Sequence, residues 1–339
     1  MTVTGPGTEP ATEPATGAPA GGLTAMAFPG MGPLEFAEVG KFLMIDPTAG
    51  ELLEEAGRVL GRPPLEELRA GTADYGAAAQ VCFLVSCVAL ARWAETELGL
   101  EPGVCTGASF GERAAAVYAG ALPFADAVAL TDRLAGCVAE YFAEHHRDVV
   151  TQSFARAPRE ELDEILAEFA DRGGWYDVSC HVDDDIFLVT LREADLDWFQ
   201  RRLRAIGAYP IYVMRPPLHS GVLGGLRDLA EERILGDQPL ADPALPFVSD
   251  QDGALVRTAG DVRRLLLDGF VRPVRWPATM DALRGLGVTT LCVAGPDRLF
   301  GRVTCARAAF EVVAAGPRTA LLHGTARATD TNRGSDVRR

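Results

Sequence analysis

The sequence predicts an α/β protein in which a small ferredoxin-like module interrupts a larger α/β domain. Three observations predict it. Short apolar runs alternate with amphipathic stretches in a chain that is 48% hydrophobic, the pattern of strands packed against helices. A serine flanked by glycines, TGASFGE at 106–112, follows the apolar VCT and precedes the helix-prone ERAAAVYA. Between residues 148 and 214 the pattern reads strand, helix, strand, strand, helix, strand, which is the ferredoxin-like order.

Taken along the chain, residues 1–22 repeat T-E-P-A-T and carry almost no large apolar side chain, so they cannot offset their ordering entropy and are expected to form a disordered tail. AMAF at 25–28 reads as a buried strand entering the turn PGMG, and LEEAGRVLG as a helix closed by Gly61. The apolar run 77–91 is interrupted by Gln80 and Ser86 and followed by Arg92, too short to span a bilayer and suited to a buried helix. In FADAVALTDRLAGCVAEYF, Ala127, Leu130, Leu134, Val138 and Tyr141 step by three and four, the mark of an amphipathic helix. Within the module VVTQSFAR alternates as a strand, Leu162, Ile165, Leu166 and Phe169 mark one helix, and WYDVSCHV and IFLVTL make a hairpin. Leu196, Phe199, Leu203 and Ile206 mark the second helix before YPIYVM. The large domain, predicted over 23–147 and 215–325, then resumes with helices near 222–235 and 261–270 and strands near 246–249, 289–294 and 310–315. Residues 326–339 are polar and are expected to fray.

A formal net charge of −15 argues against a nucleic-acid binder, which needs a basic surface. Any acidic partner must meet a local arginine patch. Seven cysteines without metal-ligand spacing, and no secretory or membrane segment, predict reduced thiols, a cytoplasmic location and no metal. Five histidines occur, and none pairs with cysteines as zinc ligands would.

In G-x-S-x-G the glycines permit a sharp strand-to-helix turn that exposes the serine hydroxyl near free helix N–H groups. Gly107, Ser109 and Gly111 fit that pattern, yet Ser109 fits equally as the N-cap of a helix from about 112 to 120. A base for Ser109 is sought among the histidines. His219, in PPLHSG, lies where the chain leaves the module, whereas His145, His146 and His323 read as solvated.

Six motifs in order, FPGMG at 28–32, the stretch around Gln80, GASFGE followed by AGALPFADAV, PLHS around His219, RPVRW at 272–276 and AGPDRLF at 294–300, together resemble the malonyl-CoA:acyl-carrier-protein acyltransferase family, including polyketide acyltransferases. The resemblance covers about residues 23–325 and implies a large α/β-hydrolase-like acyltransferase domain with an inserted ferredoxin-like small subdomain. By resemblance Ser109 is the acylated nucleophile and His219 the general base. The base is oriented by a main-chain carbonyl assigned to Gly269, and the oxyanion is held by the backbone N–H groups of Met31 and Phe110. Acyl carrier proteins would be donor and acceptor, with the acyl group on phosphopantetheine and no bound cofactor.

Departures from the family pattern bear on the substrate. Ala108 replaces the usual histidine before the nucleophile, and Leu134 stands where malonyl-transferring members carry a carboxylate-binding arginine. Arg133 is displaced by about 100° on a helix with ~3.6 residues per turn. A carboxylate buried without its partner costs several kcal/mol. With Gln80 and Leu218, these positions are therefore assigned to a pocket for a non-malonyl acyl group. The resemblance is strongest in character to discrete enzymes that move aminoacyl or dipeptidyl groups between carrier proteins in macrolactam polyketide pathways. Arg215, Arg272, Arg275, Arg298 and Arg302 are candidates for the carrier-docking rim. The alternatives are a malonyl-type extender-unit acyltransferase and a carrier-thioester hydrolase on the same fold.

Overall fold

The structure, a computed structural model, describes residues 22–71 and 75–323. All but Gly22 of the predicted N-terminal tail, and the whole of the predicted tail at 326–339, lie outside the described residues.

The chain opens with strand β1 (Leu23–Phe28), followed by helices α1 (Phe36–Ile45), α2 (Pro47–Leu60), α3 (Pro64–Ala70) and α4 (Ala77–Leu98). Asp46 caps α2 by accepting from the Ala49 N–H at 2.9 Å, and Gly61 closes it in the left-handed conformation. Helix α4 is long and apolar enough to cross a membrane, but 83% of its apolar window is buried inside the protein, as expected of a core helix. Strand β2 (Pro102–Gly107) leads into α5 (Gly111–Tyr118), and α6 (Phe124–Glu144) follows.

The module then runs β3 (Val149–Ala155), α7 (Arg159–Asp171), β4 (Tyr176–Asp183), β5 (Ile186–Arg192), α8 (Leu196–Ala205) and β6 (Tyr209–Met214), the order expected from the sequence. The large domain resumes with α9 (Gly224–Ala230), β7 (Phe247–Val248), β8 (Leu255–Val256), α10 (Ala259–Asp268), β9 (Val274–Arg275), α11 (Trp276–Gly285), β10 (Val288–Ala294), α12 (Thr304–Ala309) and β11 (Glu311–Ala315).

Two sheets result. The large one has the order β11-β10-β1-β2-β7-β8, parallel except for the final β7–β8 pair. Its central strands are buried on both faces, as a parallel sheet covered by helices requires. The module sheet has the order β6-β3-β5-β4-β9. Its last strand, β9, belongs to the large domain and pairs parallel to β4 through Cys180 and His181. The boundary at 214/215 therefore divides the chain but not the sheet.

The two faces of the module sheet have different work. Phe154, Phe187, Val189 and Leu191 pack with Leu162, Phe169, Phe199 and Leu203 of α7 and α8 in a core of their own. A register shift between Val178 and Cys180 turns β4 so that Cys180 and Val182, with Leu188 of β5, join a core shared with Val274, Trp276 and β10 of the large domain. One extra residue in a strand re-aims those that follow it. Two further ties bind the module: Asp183 accepts the N–H groups of Thr304 (2.5 Å) and Cys305 (3.1 Å) at the start of α12, and Asp177 accepts from Ser220 Oγ (2.5 Å) and Gly221 N (2.9 Å).

Candidate active site

Ser109 sits between the end of β2 and the start of α5 with φ of 53°, a left-handed conformation that is uncommon for a residue with a side chain and is concentrated at functional sites. The neighbouring glycines make the corner possible. A Cβ on Gly107 would lie 2.2 Å from the backbone of Gly111, and one on Gly111 would lie 2.3 Å from the Phe28 carbonyl oxygen. Ser109 is not a helix cap: the N-cap position of α5 is Phe110, and no side chain caps it. The corner is instead held by main-chain bonds from Ala108 N to Phe28 O (2.9 Å) and Gly111 N to Ala108 O (2.8 Å).

His219, also left-handed at φ 60°, is 5% exposed. Its Nε2 lies 2.7 Å from Ser109 Oγ and its Nδ1 lies 3.2 Å from the Arg272 carbonyl oxygen. A carbonyl can only accept, so Nδ1 carries the proton and Nε2 presents its lone pair to the Ser109 hydroxyl. Burial holds the imidazole down at about 4, against a partial upward pull from the Arg272 carbonyl, which leaves it neutral at neutral pH with the Nε2 lone pair free.

Gly269 does not orient the base. It ends α10 in a right-handed conformation, its own N–H bonded to Leu265 O. Three residues later Arg272 precedes Pro273, which disfavours helical backbone at Arg272 and favours an extended one. It is the carbonyl there that meets the ring. Phe270 contributes a parallel tie, accepting the Ser220 N–H at 3.1 Å.

The dyad opens into a cavity of about 460 Å³. Met31, Phe110, Val138, Met214, Leu218 and Phe270 supply much of its apolar wall. Gln80 also lines it, as does Gly269. Among the described residues, the N–H groups of Met31 and Phe110 are donated to no protein acceptor, as an oxyanion site requires.

Two expected pocket residues are elsewhere. Ala108 is fully buried in the core between the large sheet and the module, because its main chain is pinned against Phe28. Leu134 is buried in the main core, and α6 turns Ala135, Gly136, Val138 and Ala139 to the cavity instead. Arg133 points away, reaching the Arg233 carbonyl at the surface.

A guanidinium nonetheless lines the cavity, supplied by Arg113 of α5. It donates to Gln80 Oε1 at 3.1 Å and lies 4.6 Å from the Phe110 ring centroid; the Gln80 amide is fixed in turn by donation to the Tyr75 carbonyl at 2.6 Å. Burial lowers Arg113 to about 10, still charged at neutral pH. Glu112 lines the cavity beside it, buried against Asp250. Sequence reasoning missed Arg113, although it stands four residues after the nucleophile, one helical turn along the exposed corner.

The docking candidates divide. Arg215 lines the cavity and pairs with Glu193, and Arg272 pairs with Asp252 at 3.0 Å. Arg275 is exposed on β9. Arg298 and Arg302 line a different cavity of about 300 Å³, with Arg318, and Arg298 pairs there with Glu38. No lining residue is common to the two cavities.

Solved structures share this architecture. A malonyl-transacylase in complex with its type II polyketide acyl-carrier protein (PlMCAT:AntF) superposes with a TM-score of 0.78 at 22% identity, covering 88% of this chain and 98% of that one. The malonyl CoA-acyl carrier protein transacylase of Coxiella burnetii gives 0.76 at 23% identity over 88% and 96%. The fold is that of the malonyl-CoA:acyl-carrier-protein transacylases. Within it, residues 153–214 match a family described as the VinK acyltransferase small domain. In sequence, malonyl CoA-acyl carrier protein transacylases of Bacillus subtilis strain 168 and Salmonella typhimurium are each 24% identical, over 81% and 83% of this chain and 87% and 91% of their own lengths. Two further matches are partial: the chain spans 50% of another Bacillus subtilis transacylase and 13% of a non-reducing polyketide synthase from Aspergillus niger.

Proposed function

We propose that the protein is an acyltransferase that carries acyl groups between acyl carrier proteins through an acyl-Ser109 intermediate. The observation that supports this most is the 2.7 Å contact between Ser109 Oγ and a neutral, carbonyl-oriented His219 at the cavity wall. In the first half-reaction His219 Nε2 takes the hydroxyl proton as Oγ attacks the thioester carbonyl carbon. The developing oxyanion meets the Met31 and Phe110 N–H groups, the C–S bond breaks, and His219 returns the proton to the leaving thiolate. In the second half-reaction His219 deprotonates the incoming phosphopantetheine thiol, the thiolate attacks the ester carbonyl, the C–Oγ bond breaks and His219 returns the proton to Ser109 Oγ. The likeness to a transacylase solved with its carrier protein supports carrier proteins as partners.

For the acyl group we propose a non-malonyl substrate, an aminoacyl or dipeptidyl group among the candidates, of the kind handled in macrolactam and related antibiotic pathways. The support is a cavity of about 460 Å³ with a mostly apolar wall, together with Leu134 in the core where a carboxylate-binding arginine is expected. The Arg113 guanidinium favours a second reading, a malonyl-type transferase, since it offers a carboxylate a charged partner from another position on α5. Competition decides. The protein is offered malonyl-CoA and a panel of carrier-bound acyl thioesters together, and intact mass is measured. Acyl-Ser109 from carrier thioesters with little malonyl adduct is expected. Efficient malonyl loading overturns the substrate assignment, and free acid released without an acceptor points to a hydrolase.

A further inference from the structure

Asp250 lies in the turn after β7 and is 1% exposed. Its Oδ2 accepts the Ser109 N–H at 2.6 Å, a short bond of the charge-assisted kind. Its main-chain carbonyl accepts the N–H of Arg275 at 2.7 Å. Arg275 is separated from Arg272, whose carbonyl orients His219, by Pro273 and Val274 alone.

We infer that Asp250 is a positioning residue for both halves of the dyad, its carboxylate clamping the left-handed Ser109 corner and its carbonyl anchoring the segment that orients His219. An acceptor on the Ser109 N–H opposes relaxation of the strained φ, because a right-handed corner would turn that N–H away from Oδ2. The same residue is held on its other side, where the Ser109 carbonyl accepts the Glu112 N–H at 3.0 Å.

Glu112 keeps this clamp charged. Its side chain is 3% exposed and accepts from Gln251 Nε2 at 3.3 Å. Burial, with Asp250 alongside, pushes the Glu112 carboxyl well above its ordinary range. Burial raises Asp250 too, while the bonds it accepts from the Glu112 side chain and the Ser109 N–H oppose the rise. Two adjacent buried carboxyls cannot both ionise; the proton resides on Glu112 and the charge on Asp250, which accepts the Ser109 bond. Asp250 Oδ1 has no hydrogen-bond partner among the described residues, so this buried carboxylate is held through Oδ2, which accepts the Ser109 N–H.

The inference rests on Ser109 acting as a nucleophile but not on which acyl group it takes. Ser109 reactivity is therefore measured on the full chain with a fluorophosphonate probe as well as with carrier thioesters, resolving maximal rate from half-saturating concentration. Asp250→Asn, which keeps the shape and a neutral acceptor, is expected to lower the maximal labelling rate about tenfold at unchanged half-saturation and melting temperature. Asp250→Ala, which removes the acceptor, is expected to lower it about a hundredfold. Wild-type labelling rates in Asp250→Asn overturn the positioning role. Asp250-dependent probe labelling in a protein that accepts no acyl thioester supports it while overturning the acyltransferase reading.

Discussion

The large domain and the inserted module handle buried polar groups in opposite ways. At the catalytic corner of the large domain, Ser109 and His219 both adopt left-handed backbone, and a carboxyl pair is enclosed beneath them. In the module, Thr151, Ser179 and Thr190 are also buried, but they lie on regular strands and satisfy one another, Thr151 Oγ1 to Thr190 Oγ1 at 2.7 Å. The two left-handed residues of the dyad and the buried carboxyl pair lie together on the side where chemistry is proposed. The module's own left-handed non-glycine residue, Arg156, is exposed, and the module supplies wall residues such as Met214 and carboxylate ties to the large domain.

Removing the strained corner's hydroxyl breaks this contrast most severely. Ser109→Ala is expected to eliminate acyl-enzyme formation and to lower transfer by about 10³-fold or more, the scale of losing a covalent nucleophile. The fold should survive, since the corner is held by backbone bonds. The measurement is intact mass after thioester exposure, with melting temperature read alongside. An acyl adduct that persists in Ser109→Ala would move the nucleophile elsewhere.

The second effect is on stability and belongs to His219. Its folded value of about 4 against an ordinary 6.5 means that between those limits the unfolded chain binds a proton that the folded protein refuses. Stability is therefore unaffected above about pH 6.5 and falls as pH drops toward 4, by about 3 kcal/mol in full. His219→Gln should flatten that part of a urea-denaturation profile. An equally steep profile in the variant would assign the acid sensitivity to other groups.

These two regions were unequally legible in the sequence. The module's strand-helix order follows directly from two-residue and 3.6-residue periodicity, because Phe154, Phe187, Phe169 and Phe199 all serve one small core. Ser109 and His219 were legible from glycines and from motif order. The partners that tune them were not. Asp250 and Arg272 reach the dyad through a carboxylate and a carbonyl brought in by tertiary folding, and no local period marks either. Gly269 was assigned the orienting carbonyl because the resemblance fixes that role only to within a few residues, and a helix end intervenes. Leu134 illustrates the converse: the family pattern marks the missing arginine, but that Arg113 of α5 lines the cavity depends on how the faces of α5 and α6 pack.

The smallest expected effect separates two ties that look alike. Asp177 and Asp183 are both carboxylates of β4 that reach from the module into the large domain, each accepting two bonds. Asp183 caps the start of α12, does not line the cavity of the dyad, and its loss leaves two N–H groups without an acceptor. Asp183→Ala should cost about 1–3 kcal/mol of stability and leave the acyl-transfer rate of the folded protein within about twofold. Asp177 holds Ser220 and Gly221, directly after His219, so Asp177→Ala should cost a similar amount and also lower the rate severalfold by loosening the strained turn that carries the base. Paired urea titrations and single-turnover acylation rates test the distinction. Equal rate losses in both variants would mean that the module governs the dyad through the whole interface and not through the one tie beside His219.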